Sequence, residues 1–169
     1  MKILVDNMVG HKPGKKAALV WDRVSDAVSG IPGVCPVVHD GKRSMRAVQA
    51  FLSESNGRKD APALIVSISG VLPLFWHPDR RITKTAVAVY SLDFVSSLRG
   101  YTWLQRHLLN LRYHRLRRLA DYFIAADSHV ADDLHKYYFI PRDRIIDAGD
   151  SAGMADVLSG IIRCRQSRG

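Results

Sequence analysis

Apolar and polar positions along the chain fall into short continuous runs alternating with longer periodic stretches. Lys2 to Asn7 opens with Ile3, Leu4 and Val5 in succession, the pattern of a strand buried on both faces rather than one. Ala61 to Ser67, Thr85 to Ser91 and Tyr122 to Ala126 are further runs of strand length, and Arg144 to Asp147 is a last short one. Between them lie helical spacings. Ala17, Val20, Val24 and Val28 fit one helix that stops at Gly30-Ile31-Pro32-Gly33, and Met45, Val48 and Phe51 fit another from about Arg43 to Glu54. Leu98 to Leu119 reads as a long basic helix, and residues 129 to 138 as a shorter one capped by Asp127 or Ser128. That helix must end before Ile140-Pro141, because proline has no N–H to donate and biases its predecessor to extended geometry. Val34 to His39 is a strand interrupted by Pro36, which places it at a sheet edge. Residues 154 to 164 form a weak final helix before a polar tail.

Strands alternating with helices imply right-handed parallel crossovers, so the predicted fold class is α/β with a doubly wound, mostly parallel sheet. One domain over residues 1–150 is expected, followed by a C-terminal helix and tail over 151–169. Ligands in such folds sit at the carboxyl ends of strands. The segments after Asp6, Ser67, Ser91 and Ala126 are therefore the places for a site.

The bulk numbers change this picture little, with one exception. The chain has 169 residues, 47% of them apolar, enough for a real core. Two distant cysteines suggest neither a disulfide framework nor a zinc site. No apolar run reaches the roughly 20 residues of a membrane span, and Asp6 arrives before a signal-peptide core can form, so a cytoplasmic protein is expected. The exception is a net charge of +9, which implies an anionic partner or surface.

Three groups of residues carry candidate chemistry. Gly10 to Lys16, with Gly14, Lys15 and Lys16 at its end, resembles a phosphate loop. It is one residue short between its glycines and lacks the Ser or Thr that follows the lysine in a triphosphate-binding loop, so nucleotide triphosphatase chemistry is excluded. A basic turn feeding a helix start still suits an anion, and a plain flexible turn is the equal alternative. The long helix carries Arg106, Arg112, Arg115, Arg117 and Arg118, with Leu104, Leu108, Leu111 and Arg115 on one stripe. That stripe reads as the core face and the arginines as the outer face. A charge run of this kind is ordinarily only solvated; attachment to an anionic membrane is the functional reading, and nucleic acid is disfavoured for want of a recognition module. Tyr90, Ser91, Asp93 and Ser128 follow strands and are cleft candidates, Asp93 either as a base or as a turn-capping aspartate. The seven histidines form no HExxH frame, so no metal site is expected, and no cofactor motif is present.

The stretch Ala120-Asp121-Tyr122-Phe123-Ile124-Ala125-Ala126-Asp127-Ser128, then Asp133-Leu134, Ile140-Pro141, Arg144-Ile145-Ile146 and Gly149 resembles the pattern ADxIIAVSxxxxxDLxxxxxIPxxKIxVIxxG. That pattern closes the N-terminal, acceptor-side domain of GT-B retaining glycosyltransferases of the bacterial mannosyl- and glucosyltransferase-like group. Val5-Asp6-Asn7 through Gly14 is similar to the family's opening strand and glycine loop; Tyr90-Ser91 stand where the family carries His-Asp. The resemblance implies a Rossmann-like domain that binds a sugar or lipid-linked acceptor. It also implies that the nucleotide-sugar site, which the family carries on a second domain, must come from a partner chain. The expectation is thus an acceptor-binding half of a split or truncated transferase in cell-envelope polysaccharide or glycolipid synthesis. The alternative is a non-enzymatic basic protein that binds an anionic membrane or nucleic acid.

Overall fold

A computed structural model describes residues 2–6, 15–32, 35–39, 62–70, 72, 80, 81, 83–96 and 100–166. The helix expected from Arg43 to Glu54 and most of the loop from Gly70 to Lys84 lie outside the described residues, as does Gly14.

In chain order the elements are β1 (Lys2–Asp6), α1 (Lys15–Ser29), β2 (Cys35–His39), β3 (Leu64–Ser67), β4 (Lys84–Val89), α2 (Asp93–Ser96), α3 (Trp103–Leu119), β5 (Tyr122–Ala125), α4 (Ser128–Tyr138), a 3-10 turn (Arg142–Arg144), β6 (Ile145–Asp147) and α5 (Ser151–Gln166). The six strands order as β2-β1-β3-β4-β5-β6 and every neighbouring pair is parallel. This is an α/β, doubly wound, Rossmann-like sheet. The chain moves outward from β1 to β2, then crosses back past β1 to β3 and proceeds the other way, so the topological switch lies between β1 and β3. Pro36 sits in β2, which is the edge strand on that side.

Both faces of the sheet are covered, and alternation within each strand divides the apolar runs between them. Leu4, Ile65, Val87, Val89, Phe123 and Ala125 pack with Leu116, Ala120, Val130, Leu134 and Tyr138 in one layer. Ile3, Val5, Leu64, Val66, Ala86, Ala88, Ile124 and Ile146 pack in the other with Val20, Val24 and Val28 of α1 and Met154, Leu158 and Ile162 of α5. The first layer is therefore roofed by α3 and α4, the second by α1 and α5.

Two local outcomes differ from the sequence expectation. The helix expected from Leu98 begins at Trp103: Gly100 has φ +91°, and Thr102 starts α3 through a capping box with Gln105. The Thr102 hydroxyl accepts from the Gln105 N–H at 3.3 Å, and the Gln105 side chain accepts from the Thr102 N–H at 2.9 Å. Second, the Leu104, Leu108, Leu111 stripe is not the core face; all three are exposed, while Leu116 is buried and Leu109 and Tyr113 are partly so. The end of α4 at Tyr138 falls where expected, before Ile140-Pro141. Phe139 takes the left-handed conformation (φ 51°, ψ 39°) as its cap, and Ile140 N–H then reaches back to Leu134 O at 3.4 Å.

The start of β5 is tied down by an aspartate hub. Asp121 accepts from the backbone N–H of buried Thr85 at 3.1 Å and lies 3.4 Å from Lys84 Nζ. Arg144 donates from Nε to Asp121 O at 2.8 Å and also reaches Ala120 O, occupying carbonyls that the end of α3 leaves open.

Candidate functional site

The carboxyl edge of the sheet brings together residues from three strand ends. After β3, the hydroxyls of Ser67 and Ser69 lie 3.2 Å apart. After β4, half-buried Tyr90 donates its hydroxyl to Ile68 O, which joins the β3 and β4 ends. Ser91 Oγ accepts from the Asp93 N–H at 3.0 Å, so Ser91 caps α2 and Asp93 is that helix's exposed first residue. The turn cap at this point is thus Ser91 rather than Asp93.

After β5, Asp127 rather than Ser128 is the N-cap of α4. Its carboxylate accepts from the Val130 N–H at 2.9 Å and from Lys16 Nζ at 2.8 Å. Ser128 is the exposed first residue of the helix. The Lys16 hydrogen bond, followed by the Val130 N–H, holds the Asp127 carboxyl below the usual carboxylate range. Of the expected basic loop, Lys16 is therefore committed to an ion pair across the site, while Lys15 is exposed at the start of α1.

That pair yields a prediction. Asp127→Ala should cost about 1 kcal/mol through loss of the cap, whereas Asp127→Asn, which can still accept from Val130, should cost less than half as much, since an exposed ion pair adds little. Because Asp127 binds its proton more weakly folded than unfolded, its charge stabilises at neutral pH, and this is lost as pH falls through the depressed pKa. Urea melts should show the wild type and Asp127→Asn converging in acid; a constant gap would count against the pairing.

One further group enters the rim from α3. Arg112 donates through Nη2 to Gly70 O, just past the end of β3. Among the ion pairs of the described residues none involves Arg112. Its charge thus stands at the carboxyl edge, by the ends of β3 and β4, without a carboxylate partner among the described residues. Arg106 likewise faces inward, donating from Nε to Phe94 O at 2.9 Å. These two arginines belong to the inner side of α3, whereas Arg117 and Arg118 are exposed and Arg115 is half-buried. The role of Arg112 was hidden from the sequence, where it sat within a basic run; only the loop that meets it distinguishes it.

A shallow groove of about 220 Å³ lies between α2 and α3, lined by Phe94, Val95, Trp103, Arg106, His107 and Asn110. Beneath it Tyr138 donates to Asn110 Oδ1 at 2.7 Å, and burial pushes the phenol pKa values of Tyr113 and Tyr138 upward, so both act as neutral hydroxyls. Among the described residues no three His, Cys, Asp or Glu side chains converge as a metal-holding group. No described helix is long and apolar enough to cross a membrane.

The fold and this edge define a class: a Rossmann-like α/β domain with a polar, partly cationic rim at the carboxyl ends of its central strands. Comparison with protein-family models, with curated proteins and with solved structures finds no match for the chain.

Proposed function

We propose that this chain is the acceptor-binding half of a GT-B type glycosyltransferase acting in cell-envelope polysaccharide or glycolipid synthesis, with the nucleotide-sugar site supplied by a second domain. The observation that carries the reading is the rim itself. Partly exposed Ser69, Tyr90 and Ser91 place hydroxyls at neighbouring strand ends, where a sugar acceptor would meet them, and Arg112 adds a cation without a carboxylate partner among the described residues. A guanidinium at such an edge suits the phosphate of a lipid-linked sugar. The resemblance over Ala120 to Gly149 supports the same reading, since β5, α4, the 3-10 turn and β6 follow in the order that pattern implies. Without the second domain the rim binds acceptor and does no transfer.

The test is an NMR titration of the chain with a short-chain prenyl-phosphate monosaccharide. Amide shifts should concentrate at Ser67–Gly70, Tyr90–Leu92 and Ala126–Val130, and Arg112→Gln should weaken binding about tenfold, as expected for loss of a charge-assisted contact. Shifts confined to the opposite edge of the sheet, or none, would sink the proposal.

A second reading concerns location and has its own observation. Arg117 and Arg118 are exposed on a helix without a single acidic residue, in a chain of net charge +9. We infer that the domain works peripherally at the cytoplasmic face of an anionic membrane, where a lipid-linked acceptor would be presented.

A further inference from the structure

The outer face of α3 is built for more than electrostatic adsorption. Trp103, Leu104, Leu108 and Leu111 are 78%, 57%, 56% and 61% exposed. Leu104, Leu108 and Leu111 stand in i, i+4, i+7 register and form a single row along the helix. Trp103 flanks that row, its indole stacked on the His107 ring at 5.6 Å and 10°. The inner side of α3 is already satisfied by Leu116, Leu109 and Tyr113, so nothing in the core requires the outer leucines.

An exposed row of large apolar side chains on a soluble fold marks an interaction surface. Charge decides what it meets. From Gly100 to Ala120 there is no Asp or Glu, while Arg118 is exposed in the last turn on the same side of the helix as the row. A nucleic acid would meet the arginines and leave the leucines in water. A second copy packed α3 against α3 would bury the leucines but bring together two basic helices with no acidic residue between them. Anionic headgroups above acyl chains satisfy both at once.

We propose that α3 is an interfacial insertion helix. Trp103, Leu104, Leu108 and Leu111 lie in the boundary between headgroups and acyl chains of an anionic bilayer, and Arg118, on the same side two turns beyond Leu111, lies against the headgroup phosphates. This rests on the peripheral-membrane reading above and goes beyond it in assigning the dominant contact to the leucine row rather than to the arginines.

Flotation of the intact chain with phosphatidylcholine vesicles, with and without phosphatidylglycerol, over a salt series, tests both levels. The wild type should float only with the phosphatidylglycerol vesicles. A triple variant Leu104→Ser, Leu108→Ser, Leu111→Ser should lose at least about tenfold in partitioning even at low salt, because each buried leucine is worth that much or more. Arg118→Gln should lose about fivefold at low salt and less at high salt. Wild-type tryptophan emission should shift to the blue on adding phosphatidylglycerol vesicles, and Trp103→Phe should lose most of that shift. All these positions are exposed, so circular dichroism should show unchanged folds. A serine triple that floats like wild type overturns insertion and leaves surface adsorption standing. Wild type that ignores phosphatidylglycerol vesicles overturns the membrane reading itself. Self-association abolished by Leu108→Arg, without lipid binding, would assign the face to a second copy and overturn the proposal.

Discussion

Gly70→Ala is expected to lower the stability of the domain by about 2–4 kcal/mol, through backbone strain and a steric clash acting together. Gly70 has φ +68°, a region that an L side chain enters only at a cost, and a Cβ there would stand 2.7 Å from the carbonyl oxygen of Ala88 near the carboxyl end of β4. The obstacle is backbone, and β4 is held on both sides by β3 and β5, so it cannot move aside. The segment after β3 must shift instead. That shift displaces Gly70 O from Arg112 and moves Ser67 and Ser69 relative to Tyr90, so acceptor binding should fall with stability. Urea denaturation of the purified variant measures the first effect, and the prenyl-phosphate titration the second. A variant with a wild-type urea midpoint would show that the chain does not pass over β4 as described.

Phe123→Ala should be still more damaging, at about 3–5 kcal/mol, a fall in melting temperature of roughly 10 °C for a domain of this size. Phe123 is fully buried at the centre of β5, between Val87 of β4 and Ile145 of β6 in the sheet register. It belongs to the layer roofed by α3 and α4, with Leu116, Val130 and Leu134 in the same cluster. The Arg144 guanidinium lies 6.0 Å from the ring centroid, so truncation also removes a cation–π contact from the residue that closes the end of α3. Phe123→Leu, which keeps most of the volume, should recover more than half of the loss. Equal losses for Ala and Leu would mean that ring geometry, not filled volume, is what β5 requires.

Much of the scaffold was legible before any coordinates. Ile3-Leu4-Val5 and Phe123-Ile124-Ala125 are runs that only a strand covered on both sides tolerates, and both divide their side chains between the two core layers. The Pro36 argument for an edge strand succeeded because a missing N–H is a local fact. So did the handover from β5 to α4, where an acid at the cap position and a proline beyond the end are signals within one turn of the chain. The rim was legible only as a list of strand ends. Tyr90, Ser91 and Ser128 are placed there, yet Ser67 and Ser69 went unassigned and Arg112 was read with the outer basic face, because a hydroxyl after a strand and an arginine in a basic run look alike until a second segment meets them. The Lys16 pairing spans 111 residues and has no local signature at all.

The helix before β5 marks the division most clearly. Periodicity determined that α3 carries apolar residues and arginines, and even that Leu104, Leu108 and Leu111 share a face. It did not determine which face the sheet covers, since Leu109, Tyr113 and Leu116 form a second apolar arc on the other side, and at 3.6 residues per turn both arcs are regular. That choice was made by the attachment of the helix end, where Ala120 is buried, Asp121 N–H donates to Thr85 O at 2.9 Å, and Arg144 holds the last carbonyls. These contacts fix the rotation of α3 about its axis, which no residue within the helix can specify for itself. Sequence alone thus determined the strands, the helices and their order, because those depend on neighbours along the chain. Which leucines were left facing outward depended on neighbours in space, and only the tertiary structure decided it.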